Sequence, residues 1–81
     1  MHHIYVLENS LGRWYIGQTN NLGYRFARHN NGEVKSTKNG RPWKIIYTEK
    51  FATRAEAMRR EEFLKSGKGR NFLKTILQKD T

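Results

Sequence analysis

The fold class predicted by the sequence is α+β: a small three-stranded, mainly antiparallel sheet flanked by about three helices. Three observations predict it. Stretches rich in β-branched and aromatic residues, alternating with period two, run from His2 to Glu8, Arg13 to Gly17 and Trp43 to Lys50. The first two are separated by the turn formers Asn9, Ser10 and Gly12, so they pair as an antiparallel hairpin. Capping residues followed by apolar residues three and four apart mark helices after the second and third stretches. With 81 residues there is room for one modest core, so residues 1–81 are expected to form a single domain.

In the first strand Ile4 and Val6 point to one side and His3, Tyr5 and Leu7 to the other. If the hairpin register is even, Tyr5 and Tyr15 emerge on the same face; a slip of one residue separates them. Two tyrosines in a hairpin are ordinarily packing residues. The second strand runs out at Gly17, and Asn20 or Asn21 offers the side-chain acceptor that opens a helix. On that helix Leu22, Arg25, Phe26 and His29 share one face, normally the buried one. A phenol, a guanidinium and an imidazole thus converge at a strand-to-helix junction where helix amides also favour an anion, which reads as a phosphate site.

Asn31-Gly32 ends this helix, and Gly32 to Arg41 is a polar, basic loop. Its Lys35, Lys38 and Arg41 are suited to track a nucleic-acid backbone, or are simply solvated. Pro42 precedes the third strand, where Trp43, Ile45 and Tyr47 alternate with Lys44, Ile46 and Thr48. Thr53 and Glu56 form a capping box for a helix reaching about Lys65, ended by Ser66-Gly67. Ala57, Met58 and Leu64 define its apolar arc, and Glu61 lies in the middle of that arc. A carboxylate there has to pair with a cation, such as one of the chain's arginines, bind a metal, or carry a raised pKa. Glu62 points about 100° away and reads as surface charge. A last helix packs Phe72, Leu73, Ile76 and Leu77 inward and carries Lys68, Arg70 and Lys74; the tail after Gln78 is expected to fray.

Sixteen Lys and Arg against seven Asp and Glu give a net charge of +9, spread through both halves. A polyanion is the expected partner, nucleic acid first. The absence of cysteine excludes a disulfide framework, a thiolate zinc site and a cysteine nucleophile, and points to a cytoplasmic protein. No signal peptide or membrane span is readable in the sequence, so no membrane partner is expected.

Taken together, these residues resemble the GIY-YIG nuclease family, particularly its small stand-alone members, from about His3 to the last helix. The second motif stands intact as Tyr15-Ile16-Gly17; the first is His3-Ile4-Tyr5, which keeps the tyrosine and lacks the glycine. Arg25 and His29 match the family's spacing after the second tyrosine, and Arg59-Arg60-Glu61 resembles its glutamate segment. Asn71 is the natural counterpart of a later family asparagine, and Thr37 and Arg41-Pro42 also look like the small members. The resemblance implies a divalent-metal-dependent endonuclease acting on DNA, with repair or recombination as its setting. Water attack would leave 5′-phosphate and 3′-hydroxyl ends. Mg²⁺, or Mn²⁺, would be held by Glu61, the single carboxylate of the site. Tyr5, its phenol shifted below the ordinary value by nearby cations, is the candidate general base, with Tyr15 orienting water or phosphate; these two roles are interchangeable. Arg25 would bridge phosphate oxygens, and His29 would assist as a hydrogen-bond or proton-transfer partner. The alternative from another class is a basic nucleic-acid-binding module without catalysis, in which Glu61 is only structural.

Overall fold

A computed structural model describes residues 1–77. Its elements are β1 (His2–Asn9), β2 (Trp14–Thr19), α1 (Leu22–Asn30), β3 (Trp43–Phe51), α2 (Arg54–Lys65) and α3 (Gly67–Ile76), with a short 3₁₀ turn at Lys38–Gly40. The expected α+β fold is present. The strands lie in the order β2-β1-β3 and both pairings are antiparallel. The fraying expected after Gln78 concerns a stretch outside the described residues.

Because β1 is the central strand, it is covered on both faces. Ile4 and Val6 join Ile16, Ala57, Leu64 and Leu73 in one cluster, under α2 and α3; Tyr5 and Leu7 join Trp43, with Leu22 and Phe26 of α1 packed against them. The alternation in β1 thus separates two cores and not a core from solvent. The third strand departs from strict alternation. Val6 pairs with Tyr47 and Leu7 with Ile45, so Ile46 is an extra residue in a β-bulge. Trp43 and Ile45 therefore face α1, while Tyr47 packs with the α2–α3 cluster. The expectation that these three share one face fails at the bulge.

Local chemistry accounts for the helix ends. Asn21 accepts the amide of Tyr24 at the start of α1, and Gly32, at φ +78°, takes the left-handed conformation after its end. The capping box of Thr53 and Glu56 is formed. Ser66 closes α2 and caps α3 at once, accepting the amide of Gly69. Two apolar residues expected inside lie outside: Met58 is 43% exposed and Ile76 42%. On α2 the inward positions are Ala57, Arg60, Glu61 and Leu64, so its apolar face is narrower than the arc assumed, and on α3 Leu73 alone among the large apolar residues is fully covered. The loop before β3 is pinned by Asn30, whose side chain accepts the Trp43 amide at 2.7 Å and donates to the Trp43 carbonyl at 3.0 Å.

Candidate active site

The register places Tyr5 opposite Gly17 and Leu7 opposite Tyr15, so the two tyrosines share a face, as an even register requires. Their ring centroids are 6.2 Å apart. The β2 strand runs on past Gly17 to Thr19, and Gly17 is where the Tyr5 phenol lies across it: a Cβ there would stand 2.6 Å from the Tyr5 hydroxyl oxygen. Only glycine leaves that space. From α1, His29 comes up beneath both rings, 5.6 Å from Tyr5 and 4.9 Å from Tyr15 by centroid. Its Nε2 is 2.8 Å from the Tyr5 hydroxyl and its Nδ1 is 2.7 Å from Oγ1 of Thr37. Tyr5, His29 and Thr37 are all buried.

Arg25, one turn before His29, is half-buried and interacts electrostatically with both phenols, which hold its guanidinium firmly charged against the cost of burial. Burial pushes the Tyr5 phenol above its ordinary value, and the Tyr15 phenol and Glu61 carboxylate act in the same direction, outweighing the hydrogen bond and charge of Arg25. This corrects the expectation of a lowered Tyr5: desolvation of the phenolate is the larger effect. His29 is pushed down to about 4, by burial first and then by the charges of Arg25 and Arg28, so near neutral pH it is an uncharged imidazole with one ring nitrogen free to accept a hydrogen bond.

Glu61 projects from the second turn before the end of α2, close enough for its charge to act on Tyr5, and is half-buried. Its ion pair is with Lys65, one turn on, at 2.8 Å. Among the described residues no arginine forms an ion pair with it, and the neighbouring Arg60 is engaged elsewhere: it grips Glu49 of β3 through Nε at 2.8 Å and Nη2 at 2.9 Å, and Tyr47 donates to the same carboxylate. The signal for Arg60 was its place three after Ala57 and four before Leu64, on the inward arc. Glu62 is exposed, as its position on the helix predicts.

Among the described residues no group of three His, Asp or Glu side chains is gathered to hold a metal. One carboxylate beside phenols suits a hard, oxygen-seeking divalent ion that keeps most of its shell as water and phosphate oxygen, and not a soft or histidine-bound one. Asn71 lies on α3 with its side chain exposed, and no hydrogen bond ties that side chain to Tyr5, His29 or Glu61. Lys35, Lys38, Arg41, Lys68 and Arg70 are exposed and Lys74 is half-buried. Arg41 is folded back, donating to the Lys38 carbonyl at 2.8 Å. A cavity of about 380 Å³ next to Arg25 is lined also by His2, Gln18, Thr19, Asn20 and Arg54, all of them residues with polar side chains. Sequence reasoning missed Arg54, for which a basic residue in a capping-box helix carries no distinguishing signal.

Residues 1–74 match the family model described as the GIY-YIG catalytic domain. A UPF0213 protein of Halobacterium salinarum is 44% identical over 66 residues, 80% of this chain and 86% of that protein. A UPF0213 protein of Staphylococcus saprophyticus is 37% identical over 76 residues, 93% of each. The solution NMR structure of a UPF0213 protein from Bacillus halodurans superimposes with a TM-score of 0.58 at 32% identity, covering 93% of this chain and 83% of that one.

Proposed function

The chain belongs to the GIY-YIG family, a family of nucleases, and from that premise we propose that it is a divalent-metal-dependent endonuclease that hydrolyses phosphodiester bonds in DNA, leaving 5′-phosphate and 3′-hydroxyl ends. The observation that carries this reading is the meeting of Tyr5, Tyr15, Arg25 and His29 at one point of the sheet, with the Glu61 carboxylate within electrostatic reach.

Hydrolysis needs a base for water and positive charge where the transition state gathers negative charge. Burial keeps the Tyr5 phenol protonated, so a phenol acting on water has to surrender its own proton as it takes the water's. The neutral His29 Nε2, 2.8 Å away, is the atom placed to receive it. Tyr15, packed against the same imidazole, orients water or phosphate. Arg25 offers its planar fork to two phosphate oxygens. Glu61 would hold Mg²⁺ or Mn²⁺, which when bound supplies polarisation of the phosphodiester and charge neutralisation.

Labelled single-stranded, duplex and branched DNA, incubated with Mg²⁺, Mn²⁺ or EDTA, tests the reading. Metal-dependent cleavage is expected, abolished in Glu61→Gln with fold and most DNA affinity retained, while Glu62→Gln cuts normally. Cleavage by Glu61→Gln near the wild-type rate overturns the metal assignment, and no cleavage of any substrate by the wild type overturns the nuclease reading.

A further inference from the structure

Thr37 is buried to 1% in a loop whose neighbours Ser36 and Lys38 are exposed. A hydroxyl in such a place is kept with its hydrogen bonds made. Its backbone is held from both sides: the amide donates to the Val34 carbonyl at 3.1 Å, and the carbonyl accepts from the Gly40 amide at 3.1 Å and from the Trp43 indole at 2.9 Å. The side chain is thereby delivered to one spot, with Oγ1 2.7 Å from Nδ1 of His29 and 3.4 Å from the Val34 carbonyl oxygen.

The direction of these bonds follows from what each atom can do. A carbonyl only accepts, so the one arrangement that keeps both Thr37 bonds gives the threonine hydrogen to Val34 and an Oγ1 lone pair to His29. Nδ1 is then the ring nitrogen that carries hydrogen, and Nε2 presents its lone pair to the Tyr5 hydroxyl. The opposite tautomer would set an N–H against Tyr5 and leave the phenol with no acceptor at that nitrogen.

We propose that Thr37 is a positioning residue of this site: it fixes the tautomer of His29 so that Nε2 is free to take the Tyr5 proton. In this role Thr37 acts through His29 and not on substrate. Its kinetic consequence rests on the nuclease reading, whereas the tautomer does not. In the reaction the Tyr5 O–H bond breaks as Nε2 forms an N–H bond, and the phenol oxygen takes a proton from the attacking water. The water oxygen bonds phosphorus, the bond from phosphorus to the 3′-oxygen breaks, and that oxygen takes a proton from solvent. The imidazolium afterwards gives its proton to solvent, balancing the one the 3′-oxygen took, and the neutral imidazole is restored.

Long-range ¹H–¹⁵N NMR of the histidine rings tests the tautomer in the whole protein without DNA or metal. Wild type and Thr37→Ser are expected to show His29 protonated at Nδ1, and Thr37→Val a shift toward the Nε2–H form. Single-turnover cleavage at saturating DNA should fall on the order of 100-fold in Thr37→Val, with DNA affinity unchanged and most of the rate restored in Thr37→Ser. An Nε2–H imidazole in the wild type overturns the proposal. So does a Thr37→Val protein with wild-type tautomer and rate. If Thr37→Val does not fold, the wild-type and Thr37→Ser spectra still decide the tautomer. A wild type that cleaves nothing overturns the nuclease reading, and the spectra decide Thr37 separately.

Discussion

Gly17 matters through an atom it lacks. The Tyr5 phenol occupies the space where a Cβ would be, 2.6 Å from its oxygen, so Gly17→Ala has to push the phenol off His29 or bend β2. Single-turnover cleavage by this variant should fall by roughly 100-fold, because a displacement of about 1 Å at a reacting group costs that much. Its loss of stability should be about 1–3 kcal/mol, measured by urea unfolding. Turnover near wild type would mean that the position of Tyr5 does not limit the reaction. His29 makes a second prediction at this scale. Its value in the folded state, about 4, lies below the unfolded reference of roughly 6.5, so between those pH values the unfolded chain binds a proton that the folded one does not. The stability it contributes is therefore complete above about pH 6.5 and is lost as pH falls toward 4, by up to roughly 3 kcal/mol. Urea unfolding at steps between pH 7 and 4 should show this slope, flattened in His29→Gln. The clustering of Tyr5, Tyr15, Arg25 and His29 was legible from spacing, since the strand period and the helix period each put the right residues on one face. The raised phenol of Tyr5 was not, because desolvation depends on what covers the ring.

The elements were legible where local chemistry decides them. Asn21, the Thr53–Glu56 box and Ser66 cap the helices as their side chains dictate. The bulge at Ile46 was not legible, because an extra residue in β3 is defined only by its pairing with β1. Nor was the approach of α3 to α2, where Gly69 sits so close under α2 that a Cβ would collide with the Phe63 carbonyl. Backbone cannot yield there as a flexible side chain would. Gly69→Ala is accordingly expected to destabilise the protein by about 1–3 kcal/mol even though alanine is the better helix former, and thermal unfolding measures it. A neutral or stabilising result would show that α3 can move away from α2 freely.

Across the whole molecule the net charge of +9 offers two candidate surfaces for the proposed DNA substrate, the loop of Lys35, Lys38 and Arg41 and the last helix with Lys68, Arg70 and Lys74. Every side chain that neutralises a phosphate adds roughly 0.7 to 0.9 to the steepness of log K against log salt, so alanine triples in each group, titrated at several ionic strengths, reveal which one tracks the backbone. Arg41 gives only its Nε to the Lys38 carbonyl and keeps its charge and outer nitrogens, so the loop triple should flatten the slope as far as three phosphate contacts imply. Turnover at saturating DNA should barely change, and an unchanged slope in both would place the DNA path elsewhere, with the Arg25 and Arg54 cavity the next place to look. The sequence by itself determined the strands, the helices, their caps, the family and the residues that face one another across the hairpin, because these depend on near neighbours and on fixed periods. Tertiary structure alone decided that β1 is buried on both faces, that Arg60 serves Glu49 and leaves Glu61 to Lys65, and that Thr37 reaches His29. Those outcomes turn on which distant surfaces exclude water from a given group, and no local pattern of residues carries that information.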